Sequence, residues 1–157
     1  MALEEINYWL MKSEPDAYSI HDLRNERETL WDGIRNYQAR NFMRSMEIGD
    51  QAFFYHSNTK PPGIVGLMEI IKTHLTDPYQ FDESSKYYDK KSNKENPRWD
   101  CVKTKYICEF KDMLTLKELS ETYTSEELTV VRKGNRLSIM PIKKAIAMEL
   151  LTKLKEH

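Results

Sequence analysis

Cysteine is scarce in this 157-residue chain, which has only Cys101 and Cys108. They stand seven apart on what reads as one strand, and an odd separation turns them to opposite faces, excluding a mutual disulfide in that strand. No second Cys or His pair stands at ligand spacing, so no zinc site is expected. Long apolar runs are missing too: none approaches the roughly 20 residues that cross a bilayer. The opening MALEEINYWL is acidic where a signal peptide is basic. Charge of one sign is also lacking, since 24 Lys and Arg face 25 Asp and Glu for a formal net charge of -1. The chain is therefore no polyelectrolyte binder, and any nucleic-acid contact has to come from a local patch. There is no glycine-rich phosphate loop, no GxSxG or HExxH, no internal repeat and no low-complexity tract. These absences lead to an expectation of a soluble cytoplasmic protein in a reducing compartment, forming one domain over residues 1–157 with a core that needs no staples.

What is present has the pattern of short alternating elements. Residues 6–11 are aromatic and apolar and run into Lys12-Ser13-Glu14-Pro15-Asp16, a strand meeting a proline-led turn. Ser19 followed three residues later by Asp22 is a capping signal for a short helix ending near Arg27. Over residues 36–46, Ala39, Phe42, Met43 and Met46 fall on one helical face and Tyr37, Arg40, Asn41 and Arg44 on another, with Gly49-Asp50 beyond the end. Residues 51–57 and 63–73 flank a turn and predict an antiparallel hairpin. Residues 74–98 have little periodicity and carry Lys86, Lys90, Lys91, Lys94 and Arg98, a long excursion that either binds something or is mobile. Residues 99–110 alternate as a strand with its even-numbered face in the core. Two helical pieces are expected at 114–122 and 125–131, a turn at Lys133-Gly134-Asn135, and a last helix opened by Pro141. The sum is an α+β fold, a mixed, mostly antiparallel and barrel-like sheet with helices at its ends.

No catalytic constellation emerges. His56 and Ser57 are adjacent on a strand and point to opposite faces, so they cannot form a nucleophile and base by themselves. His21 and His74 have no recognisable partners. The stretch WDGIRNYQARN, residues 31–41, differs in kind, because rings, amides and guanidiniums interleave as a base-binding pocket requires: a face to stack on, groups to read an edge, cations for phosphate. Asn36 is placed to cap the following helix, and Gly33 to let the backbone turn close to a ligand. The competing reading has Trp31 in the core and the arginines paired with acids such as Glu14 or Asp16.

Six segments, YWLMKSEPDAYSI, LWDGIRNYQARNFMR, GDQAFFYHSN, PPGIVGLMEI, DPYQFD and GNRLSIMPI, stand in the order and at the spacing of the EVE domain. The chain resembles the bacterial EVE proteins and the thymocyte nuclear protein family from about residue 6 to residue 154. That resemblance implies a PUA-like fold, a twisted and mostly antiparallel β-barrel related to the YTH and ASCH domains. It implies a reader of a modified base in DNA or RNA. The leading expectation is capture of that base in an aromatic cage, without metal or cofactor, by a monomer whose partner is nucleic acid and not a membrane.

Carried over position by position, the resemblance makes Trp31 and Tyr37 walls of the cage, with Ser13 and Asn36 on the base edge and His56 and Ser57 on the polar rim. Lys12, Arg35 and Arg40 become the phosphate contacts, the basic stretch 86–105 could extend them, and Trp99 could join the lining. The alternatives are an enzyme acting on a modified nucleotide, with His56 as general base, or a protein-interaction module. The chain starts almost at its first strand with no basic extension, so a bacterial, cytoplasmic setting is expected.

Overall fold

Strand β1 (Tyr8–Ser13) explains the rest of the sheet. Its first four side chains, Tyr8, Trp9, Leu10 and Met11, are all buried, as expected of a strand covered on both faces and not of one with a solvated side. It lies between β3 (Gln51–His56), to which it runs parallel, and β6 (Ile139–Ile142), to which it runs antiparallel. The strand outlasts its apolar run, because Lys12 and Ser13 pair with Tyr55 and His56. The computed structural model describes residues 6–155.

Helix α1 (Ile20–Glu26) carries the expected capping box between Ser19 and Asp22, and it buries Ile20 and Leu23. Ile20 presses on Gly66, where a Cβ would come within 2.5 Å of its Cδ1, so the glycine leaves the helix room to seat. A short strand not expected from the sequence follows, β2 (Glu28–Trp31), antiparallel to the long β5 (Asp100–Thr115). Helix α2 (Tyr37–Ser45) starts at Asn36, whose Oδ1 accepts the Ala39 amide at 2.9 Å, and it buries Ala39 and Met43. β3 and β4 (Gly63–Thr76) form the expected hairpin, with a bulge between Phe54 and Tyr55. β5 completes an order β2-β5-β4-β3-β1-β6. The expected barrel is thus an open one, with β2 and β6 at its two edges.

Helix α3 (Leu116–Thr122) and a 3-10 turn at Thr129–Val131 fill the next expected helical pieces. Pro141 does not open the last helix. It sits inside β6 opposite Trp9, and helix α4 (Lys144–Lys155) begins three residues later. An edge strand can hold a residue that lacks an N–H, so the proline fits there without breaking a ladder.

The patternless excursion is organised by buried polar groups. Gln80 has no exposed surface; its amide nitrogen donates to the Asp77 and Trp99 carbonyls, both at 2.7 Å, and its Oε1 accepts from the Arg98 and Trp99 amides and the Ser92 hydroxyl. Among the described residues no helix is long and apolar enough to cross a membrane.

Candidate functional site

Because β1 and β3 are parallel neighbours, their C-terminal ends lie side by side, and the Ser57 amide donates to the Ser13 carbonyl at 3.0 Å. A cleft of about 820 Å³ opens there, within the range of small-molecule sites. Its lining comes from five separate stretches: Lys12, Ser13, Glu14, Ala17 and Tyr18 after β1; residues 29–34 around the end of β2; Ser57 and Asn58 after β3; Lys86 and Tyr87 from the excursion; and Arg136 and Ser138 before β6.

Trp31 satisfies both readings of its sequence. It lines the cleft, yet it is 6% exposed and meets Phe54 edge-on at 5.4 Å as part of the core. The Ser13 hydroxyl donates to the Tyr18 carbonyl at 2.6 Å, which leaves its lone pairs to accept. Lys12 lies over the Tyr55 ring, and burial lowers its pKa. Glu14 accepts from the Asn58 amide group at 3.1 Å.

Beyond Trp31 the chain is anchored by the fully buried Asp77. Its Oδ2 accepts the Gly33 amide at 2.8 Å and Arg35 Nη1 at 3.0 Å, while Oδ1 accepts the Tyr79 amide. Arg35 Nε in turn donates to the Tyr87 carbonyl at 2.9 Å. The Tyr87 ring lies on Gly33, where a Cβ would meet its Cζ at 2.8 Å, and Gly33 has φ of 78°. Glycine is required twice over, by the backbone conformation and by the ring against it. Between these anchors stands Asp32, whose carboxyl is pushed up by burial and by Asp77, against the pull of Arg35.

Of the residues expected at the site, Lys12, Ser13, Trp31 and Ser57 come together in the cleft. Asn36 does not line it, being occupied as the α2 cap. Tyr37 does not either: half exposed, it stacks on Trp99 at 4.8 Å under the Arg40 guanidinium. Arg40 donates to Asn41 and to the Arg98 carbonyl, and Arg35 is held by Asp77, so both cations serve the scaffold around the cleft. Arg35 pairs with neither Glu14 nor Asp16. Trp99, which also stands outside the lining, donates its indole N–H to Asp89 at 2.8 Å. His56 is buried and its Nε2 accepts the Ile20 amide at 3.1 Å, so that lone pair is unavailable to a substrate. Burial foremost lowers its pKa, His21 adds to this, and Glu109 opposes it. Among the described residues no three His, Cys, Asp or Glu side chains are grouped to hold a metal ion.

Sequence reasoning missed Asp32, Tyr87, Arg136 and Ser138 as lining groups. Asp32 lay in plain view between Trp31 and Gly33. Arg136 and Ser138 belong to the GNRLSIMPI segment, and nothing local singled out Tyr87.

An open, mostly antiparallel sheet with helices around a cleft at its strand ends defines an α+β domain of the PUA-like class. The fold likeness reaches a YTH domain from Zygosaccharomyces rouxii solved with N6-methyladenosine RNA, with a TM-score of 0.57 at 11% identity, covering 96% of this chain and 88% of that one. At that identity the likeness is one of fold alone. The EVE domain model matches residues 7–153, and the chain belongs to the EVE domain family. It is 41% identical over 154 residues to human thymocyte nuclear protein 1, covering 87% of this chain and 68% of that protein. The crystal structure of the human protein in complex with DNA containing 5-methylcytosine superposes with a TM-score of 0.88 at 38% identity, over 96% of this chain and 99% of the other.

Proposed function

We propose that the cleft receives one modified base swung out of DNA or RNA, and that the protein reads nucleic acid instead of transforming it. The observation that carries this reading is the convergence of an aromatic wall, hydrogen-bonding groups and three cations in one cleft. The similarity to a human protein held in complex with 5-methylcytosine DNA supports it. Extruding a base costs a few kcal/mol. Stacking returns about 1–3 kcal/mol per base, and polar contacts to the base edge add to it.

Trp31 is one wall of the cage in this reading, and Tyr87, seated on Gly33, replaces Tyr37 as the second. Ser13 and Ser57 face the base edge. Lys12, Lys86 and Arg136 take the phosphates, since Arg35 and Arg40 are engaged elsewhere. An enzymatic reading draws no support from His56, which lies outside the cleft lining with Nε2 committed to Ile20.

The test is fluorescence anisotropy with single-stranded and duplex oligonucleotides, each carrying 5-methylcytosine or N6-methyladenine or no modification. Tighter binding of a modified form is expected, weakened by Trp31→Phe in a protein shown to be folded. Arg136→Ala should lower the slope of log affinity against log salt by about one contact's worth, roughly 0.7 to 0.9. Equal affinity for every oligonucleotide, unchanged in Trp31→Phe, would overturn the reading.

A further inference from the structure

Asp32 is a half-buried carboxylate at the wall of the cleft; its own backbone amide bonds it, and no side chain or amide of another described residue does. No neighbouring cation forms an ion pair with it, although the Arg35 charge favours its ionised form. Arg35 gives its Nη1 to Asp77 and to the Ile34 carbonyl, and no ion pair joins Asp32 to Lys12. The other acid of the cleft, Glu14, is already taken by Asn58. Asp32 is moreover held in place from both sides: Trp31 pairs with Val102 in the sheet, and Gly33 is tied to the buried Asp77. A fixed, half-buried acceptor next to an aromatic wall stands to gain from a donor brought to it, because its partial loss of water is then made good.

We infer that Asp32 is the specificity-determining residue of the cleft, accepting a hydrogen bond from the exocyclic amino group of a cytosine-type base stacked on Trp31. This rests on the base-reading function proposed above. An ionised carboxylate only accepts, and the edge of 5-methylcytosine that normally pairs carries one donor, the N4 amino group. Thymine carries the same 5-methyl group but sets its O4, an acceptor, in the amino group's place, so in the same pose two sets of lone pairs face each other and its one donor, N3–H, lies a position further along the edge. Burial foremost and then the Asp77 charge raise the carboxyl pKa of Asp32, while Arg35 and its own backbone amide oppose the shift. The cleft thereby separates 5-methylcytosine from thymine, two bases that a hydrophobic pocket for the methyl group could not tell apart.

The experiment compares two oligonucleotides identical except for 5-methylcytosine or thymine at one position, bound to the wild-type protein and to Asp32→Asn. The variant is nearly isosteric, and its thermal unfolding is measured alongside to establish that it is folded. The wild-type protein should prefer 5-methylcytosine by about tenfold, the scale of one good base contact. Because an amide can turn either its oxygen or its NH2 to the base, Asp32→Asn should bring the two affinities within about twofold of each other. A preference that survives intact in folded Asp32→Asn, or a wild-type protein that binds both oligonucleotides equally, overturns this inference. Binding of neither oligonucleotide overturns the base-reading function itself, and this inference with it.

Discussion

Replacing Arg35 by alanine tests whether this cation is a strut or a phosphate contact. The side chain bonds Asp77, the Ile34 carbonyl and the Tyr87 carbonyl, and lies 5.5 Å from the Tyr87 ring and 5.4 Å from that of Trp99. Removing one partner of a buried ion pair costs about 3–5 kcal/mol. Asp77 keeps the Gly33 and Tyr79 amides, which places the loss near the lower end, about 3 kcal/mol. Arg35 Nη2 is buried without a hydrogen bond, and its removal returns on the order of 1 kcal/mol. Loss of the two carbonyl contacts takes back about as much, so the net stays close to 3 kcal/mol. With a urea dependence of about 2 kcal/mol per molar, the unfolding midpoint should fall by about 1.5 M. In an Asp77→Asn background, where no buried charge is left behind, the same substitution should cost only about 1 kcal/mol, a coupling of roughly 2 kcal/mol. Urea denaturation followed by tryptophan fluorescence reads all four proteins. A midpoint shift under about 0.3 M, or no coupling to Asp77, would refute the strut; a salt slope of nucleic-acid binding lowered by about one contact, with stability intact, would restore Arg35 as a phosphate contact.

Two further outcomes concern Gly33 and His56. Gly33→Ala should cost about 1–3 kcal/mol from its backbone conformation alone and more from the Tyr87 ring, so adding Tyr87→Ala should recover only the second part; full recovery would show that φ carries no strain. His56 has a folded-state pKa below its unfolded value near 6.5, so its contribution to stability is whole above that pH. It should fall as the pH drops below about 6.5, by at most about 1.4 kcal/mol per pH unit, until the folded value is passed. Urea titrations between pH 7.5 and 5 should show a shallower decline for His56→Gln, and identical slopes would contradict a buried neutral imidazole.

The elements that could be read from the sequence are those whose causes are local. Ser19 and Asp22 cap α1, and Asn36 caps α2, through atoms three residues apart, and the apolar face of α2 is a matter of period. β2 escaped because four residues at an edge are a strand only by pairing with β5, some seventy positions on. Pro141 misled because the residue type suits both a helix start and an edge strand, and the choice was made by β1 beside it.

At the cleft, Lys12, Ser13, Trp31 and Ser57 could be found because they end strands or turn segments whose motifs name them. Composition could not distinguish a guanidinium meant for phosphate from one meant for Asp77, a residue forty-two positions away. Nor could it show that Tyr37 would lie against Trp99, or that the ring on Gly33 would be Tyr87.

The parallel pairing of β1 with β3 also bears on how the cleft comes into being. Joining parallel neighbours obliges the chain to cross over, and residues 14–50 make that crossover, carrying α1, β2 and α2 with them. Ser13 and Ser57 cannot meet until this long segment has closed, and β2 cannot settle without β5. Loop-closure entropy is spent before those contacts give anything back. The Ser13–Ser57 contact and the Trp31 wall therefore both rest on pairings between distant parts of the chain, and no fragment ending before β5 can assemble both.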